Sequence, residues 1–116
     1  MDQNTIAKNL YFNSFDGVIW YICEDVEKLK SVLSKTRKLL KECDIKFKST
    51  TAFRNERLFV DRGYPEKGKI IFTTPTTMSC PGDHGKLVIF DKMPDDNVFA
   101  KFVPMLSISG SVLILE

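Results

Sequence analysis

The stretch "RGYPEKGKII", Arg62 to Ile71, decides how this chain is read. Gly63, four residues, then Gly68 and Lys69 reproduce the spacing of a nucleotide-binding phosphate loop, with Ile70 where such a loop carries serine or threonine. A phosphate loop leaves a strand and enters a helix, because the helix N-terminus and the loop amides together hold the phosphates. Here Lys69 runs into Ile70, Ile71 and Phe72, which is strand sequence. Pro65 also removes a backbone N–H from the would-be cradle. Proline and two glycines between the β-rich runs "RLFVD" (57–61) and "KIIFTT" (69–74) are the composition of a hairpin loop. Gly63–Lys69 is therefore read as a hairpin turn, not an ATP site.

Working outward from the hairpin, "VIWYIC" (18–23) and "KLVIFD" (86–91) are continuous apolar runs, the pattern of strands covered on both faces. Between the first run and the hairpin, Asp25 is placed to cap a helix, with Glu24 and Glu27 at its N-terminal dipole. Val26, Leu29, Leu33, Thr36 and Leu40, widened by Val32, Leu39 and Cys43, form one stripe and predict an amphipathic helix over 25–43. "IKFKS" (45–49) alternates as a short strand. Asp95 or Asp96 caps a second helix whose apolar face is Val98, Phe99, Phe102, Val103 and Leu106, and "SVLILE" (111–116) is a further strand. The order predicts an α/β fold: a single small domain over 18–116, with a mixed, mainly parallel sheet, a β-hairpin and two main helices. Residues 1–17 are read as an N-terminal arm, in which Tyr11, Phe12 and Phe15 either dock against the sheet or meet a partner.

The totals narrow the function classes. With 116 residues, 43% apolar and 28% charged, the chain fits one soluble globular domain able to fold without staples. No run approaches the ~20 apolar residues of a membrane span, and the polar start "MDQNTIAKNL" is not a signal peptide. Cys23, Cys43 and Cys80 lack paired spacing and read as reduced thiols, pointing to the cytoplasm, the host's if the protein is viral. His84 stands alone, so no histidine cluster is available for zinc, and no cofactor is expected. A net charge of +2 does not by itself imply nucleic acid, but Lys28, Lys30, Lys35, Arg37, Lys38, Lys41, Lys46 and Lys48 concentrate basic charge in one region. Lys30, Arg37 and Lys41 fall at i, i+7 and i+11 opposite the apolar stripe, with Lys38 beside them. That face is a candidate contact for an acidic protein or, weakly, a phosphate backbone, set against the plainer reading of a solvated helix surface.

The string "LVIFDK" has the shape of a Walker B strand, an apolar run that delivers Asp91 to magnesium at its carboxyl end. Taken with "VIWYICED", the long helix, the hairpin and "GSVLILE", it resembles the part of a phage or viral large terminase ATPase domain downstream of the phosphate-loop helix. The resemblance spans Val18 to Glu116. It implies that Asp91 corresponds to the Walker B aspartate, with Lys92 where the family places a catalytic glutamate. Residues 1–17 are too few for the strand, loop and helix that carry the phosphate loop, and the chain stops where the coupling motif would follow. The implied protein is a non-catalytic phage or viral accessory domain, a degenerate terminase-like fold that works by binding a protein or, weakly, a nucleic-acid partner.

A second resemblance, ranked below the first, is to response-regulator receiver domains. On that match Glu24 and Asp25 are the magnesium acids and Asp91, ahead of Met93 and Pro94, is the phosphoacceptor of a magnesium-dependent phosphotransfer domain. The spacing departs from the family: one residue is missing between Asp91 and Met93, the interval from Asp25 to Asp91 is long, and no strand follows to carry the essential lysine. Both readings place Glu24, Asp25, Asp91 and Glu116 at carboxyl ends of strands, where parallel sheets bind ligands. Three carboxylates around one cation would make a magnesium site, and helix capping is the competing use. If "SVLILE" is an edge strand, a homodimer or a partner protein should cover it.

Overall fold

Val18–Ile22 forms strand β1 at the centre of the sheet, and its apolar residues are buried on both faces as the continuous run requires. A computed structural model describes residues 2–13, 17–52, 55–61, 68–75, 85–102, 104 and 106–115. The elements run α1 (Gln3–Asn13), β1, α2 (Val26–Glu42), β2 (Lys46–Ala52), β3 (Asn55–Asp61), β4 (Gly68–Thr73), β5 (Gly85–Phe90), α3 (Asp96–Phe102) and β6 (Leu106–Ile114). The strands form one six-stranded sheet in the order β2-β3-β4-β1-β5-β6. The β4-β1-β5-β6 block is parallel, while β2-β3 and β3-β4 are antiparallel. The predicted α/β fold, a mixed and mostly parallel sheet in one small domain, is what the chain adopts.

The opening stretch takes its place in this sheet. Residues 62–67, read from sequence as the turn, lie outside the described residues, but β3 and β4 on either side of them pair antiparallel, with Val60 opposite Gly68. Gly68 and Lys69 open a strand, not a helix. The Lys69 ammonium lies 5.0 Å from the centroid of the Phe59 ring, a cation–π contact with its cross-strand partner. Lys69 thus lies in a strand, where a phosphate loop would enter a helix.

Alternation along the strands divides the core. Ile19, Tyr21, Leu58, Val60, Ile70, Phe72 and Ile89 face one side, where α2 supplies Leu29, Val32, Leu33 and Leu40. Trp20, Ile22, Ile71, Val88 and Phe90 face the other, closed by Phe102 of α3. Phe102 meets Phe90 and Trp20 edge-on, with ring centroids 5.5 and 6.4 Å away. Gly85 allows this packing, because a Cβ there would come within 2.8 Å of the Trp20 ring. Gly17, just before β1, has φ +92°, a conformation that favours glycine.

Several sequence expectations need correction. The segment read as an arm contains α1, which buries Ile6, Ala7 and Leu10 against the α2 side of the core, so there are three helices among the described residues. Tyr11 packs partly against that core and Phe12 is 67% exposed, while Phe15 lies outside the described residues. The α2 stripe is narrower than its periodicity suggested: Val26 and Cys43, at the helix ends, are exposed. Leu106 opens β6 instead of extending α3, so β6 begins earlier than "SVLILE" implied; Val103 lies outside the described residues. Asp95, not Asp96, caps α3, its Oδ1 accepting the Val98 N–H at 2.8 Å.

Candidate functional site

Parallel strands all end on the same side, and the first residues after β1, β4 and β5 meet there. The ends are level: Cys23 N–H donates to the Thr73 carbonyl, Asp91 N–H to Ile22 and Leu115 N–H to Phe90, each at 3.0 Å. A cleft of about 250 Å³ opens at this edge. Its apolar walls are Ile22, Pro75, Phe90, Pro94 and Val98, and its polar groups are Glu24, Asp25, Asp91 and Lys92.

Local sequence explains the placement. The apolar run of β5 carries Asp91 into the protein, where it is 4% exposed. Asp25 caps α2, its Oδ1 accepting the N–H groups of Glu27 and Lys28 at 3.0 and 3.2 Å. That cap fixes the first turn of α2 and so positions Lys28, whose ammonium lies 2.8 Å from Asp91 Oδ1. The same oxygen accepts the Tyr21 hydroxyl at 3.0 Å. Among the described residues, this buried carboxylate thus meets one cation and one neutral donor, both on Oδ1.

The neighbours of Asp91 respond electrostatically. Burial, above all, pushes the Tyr21 phenol far above its ordinary range, and its neighbours Cys23 and Asp91 push the same way by disfavouring a second negative charge beside them. The Cys23 thiol is also raised, first by burial and then by Asp91. Cys23 Sγ points back to the Asp25 carbonyl at 3.4 Å. Tyr21 and Cys23 are therefore held protonated, Tyr21 donating to Asp91 and Cys23 to the Asp25 carbonyl.

Of the four carboxylates picked out from sequence, Glu24, Asp25 and Asp91 line one cleft, while Glu116 lies outside the described residues. They share the cleft without converging: among the described residues, no three His, Cys, Asp or Glu side chains form a group able to hold a metal ion. Asp25 is engaged in capping and Asp91 in the ion pair.

The basic face divides. Arg37 turns to the antiparallel pair β2–β3, reaching Ser49 at 2.5 Å and Glu56 at 3.5 Å. Lys38 turns toward α1 and lines a groove of about 330 Å³ with Lys8 and Lys35, its ammonium 4.0 Å from Glu42. Lys30 and Lys41 remain exposed. Sequence reasoning missed Lys28 and Tyr21 as the partners of Asp91. The available signals were a tyrosine hydroxyl inside a buried strand, which needs a partner, and a lysine three residues after a helix cap.

No protein-family model matches the chain, and no curated protein does. Among solved structures, a mutant of the Thermus phage P74-26 large terminase ATPase domain is similar, with a TM-score of 0.60 at 15% identity. The match covers 97% of this chain and 53% of that one, so this chain spans about half the length of the structure it resembles. At this identity the likeness is one of fold.

Proposed function

We propose that the chain is a phage-related, terminase-like α/β domain that acts by binding a partner and does not turn over ATP. The observation that carries this reading is the state of Asp91. At the carboxyl end of β5 it stands where a Walker B carboxylate would reach for magnesium, yet Lys28 occupies that position as a built-in cation. An ammonium at 2.8 Å competes directly with a metal for the same oxygen. The next residue, Lys92, adds positive charge where catalysis would need a carboxylate to polarise water. The Gly63–Lys69 stretch, the one sequence that spells like a phosphate loop, runs into a strand.

Steady-state ATP hydrolysis and calorimetric titration with ATP and magnesium test this. The expected result is neither turnover nor magnesium-dependent binding. Robust hydrolysis abolished by Asp91→Ala would overturn the reading.

One observation favours the phosphoacceptor alternative: Glu24, Asp25 and Asp91 line the same cleft. It requires Asp91 to be reachable by a phosphodonor, and the residue is almost fully buried beneath Lys28 and Tyr21. Magnesium-dependent labelling of Asp91 by a small phosphodonor would establish it. A magnesium titration that leaves Glu24 and Asp25 resonances unmoved would remove it.

A further inference from the structure

Helix α1 packs along α2 on one face of the sheet, where Ile6, Ala7 and Leu10 are buried. A hydrogen bond from the Ser31 hydroxyl to Gln3 ties the two helices together. Between them they carry seven basic side chains and two acidic ones, Glu27 and Glu42. Three of the basic groups, Lys8, Lys35 and Lys38, line the groove of about 330 Å³ that runs between the helices.

The charge in this groove is not balanced from within. Glu42 is the carboxylate in its lining, and it lies 4.0 Å from the Lys38 ammonium. Among the described residues no ion pair joins Lys8 or Lys35 to a carboxylate. Asp2, which shares an adjoining hollow with Lys35, is turned to its own helix, accepting the Thr5 N–H at 2.9 Å. The groove also has apolar lining. Leu39 is half-buried there yet belongs to neither core cluster among the described residues, unlike its neighbour Leu40. Covering its remaining surface would be favourable.

We propose that this groove takes an acidic segment of a partner protein, with carboxylates on Lys8 and Lys35 and an apolar side chain on Leu39. The inference rests on reading the chain as a binding domain. Charge complementarity selects an anion, since unpaired ammonium groups line both walls. The lining selects polypeptide over nucleic acid. Single strands are gripped by aromatic side chains that stack on bases, and among the described residues no aromatic lines the groove. Leu39 instead matches an aliphatic side chain set between acidic ones.

Fluorescence polarisation with a labelled synthetic peptide of alternating Glu and Leu tests the proposal, beside the same peptide with Gln for Glu. The Glu peptide should bind, more weakly as salt rises, and the Gln peptide should not. Lys8→Glu and Lys35→Glu should each weaken binding by about tenfold, and Leu39→Asn by about threefold. Lys101→Glu makes the same charge change on α3, across the sheet, and should leave affinity unchanged. A peptide with Lys for Glu should bind the Lys8→Glu, Lys35→Glu double variant, a recovery that misfolding would not give. No binding of the Glu peptide at low salt overturns the proposal. An equal loss with Lys101→Glu overturns it too, because net charge alone would then explain the binding. An oligothymidine bound as tightly through the same lysines would overturn it in favour of phosphate. ATP turnover would instead overturn the non-catalytic reading and leave the groove standing.

Discussion

Replacing Lys28 by methionine tests the central feature of the site. The substitution keeps the aliphatic stem on α2 and removes the ammonium 2.8 Å from Asp91 Oδ1. Asp91, whose side chain is 5% exposed, then keeps the Tyr21 hydroxyl as its neutral donor and loses its cation. Breaking a buried ion pair by removing one partner costs about 3–5 kcal/mol. The Lys28 side chain is 20% exposed, so water can approach from that side and the lower end, about 3 kcal/mol, applies. For a domain of this size that lowers the melting temperature by about 12 °C, at about 4 °C per kcal/mol.

The converse change, Asp91→Asn, keeps an acceptor for Tyr21 and removes the buried negative charge, at a cost of about 1 kcal/mol. The double variant leaves no buried charge and should also lose about 1 kcal/mol, which gives a coupling of about 3 kcal/mol between the two positions. Urea denaturation followed by the fluorescence of Trp20, the lone tryptophan, measures all four corners of the cycle. Additivity within about 0.5 kcal/mol would refute the ion pair and the reading of Asp91 that rests on it. The same variant bears on function, because magnesium should stabilise Lys28→Met more than the parent once the competing ammonium is gone.

Three further outcomes follow from the packing and electrostatics. The Tyr21 phenol binds its proton more tightly when folded, so its contribution to stability is present below the ordinary value of 10.0 and is lost as pH climbs above it. Tyr21→Phe should flatten that alkaline loss in a series of urea midpoints and cost about 1 kcal/mol at neutral pH, whereas an unchanged alkaline slope would count against a raised phenol. Cys43 is exposed and Cys23 buried with its thiol raised, so mass-spectrometric mapping of native alkylation should find Cys43 modified well before Cys23; equal rates would contradict the burial. Gly85→Ala should cost about 1–3 kcal/mol and shift the Trp20 emission, because the new Cβ falls 2.8 Å from that ring, and a neutral result would mean the β5 backbone yields there.

The fold was legible because its signals are local and repeated. Continuous apolar runs at Val18–Ile22 and Leu87–Phe90, rich in β-branched and aromatic residues, read as doubly covered strands, and such strands occupy the parallel centre of the sheet. The hairpin followed from what surrounds Gly63 and Gly68, not from the glycines themselves. Less legible was α1, whose polar residues outnumber its apolar ones. Ile6, Ala7 and Leu10 suffice to dock it, but too few positions recur to declare a helix from periodicity. Leu106 was misassigned for a related reason: an apolar residue one turn beyond Phe102 matches both a continuing helix and the first residue of a strand.

The site was legible one residue at a time and not as a unit. Asp91 stood out because a charge ends an apolar run, and Asp25 because it precedes an amphipathic helix. What joins them is a relation across the fold: the cap starts α2, α2 carries Lys28, and the parallel pairing of β1 with β5 brings that first turn over Asp91. Tyr21 completes it from seventy residues away in sequence. No spacing rule encodes a contact between a helix and a strand whose neighbours are set by sheet order. The same limit explains the basic face, where helical spacing put Lys30, Arg37 and Lys41 together. It could not foresee that the hairpin would bring Glu56 to Arg37 and so withdraw the middle charge. A carboxylate at a strand end is therefore an ambiguous mark until its cation is known. Here the chain itself supplies that cation, as Lys28.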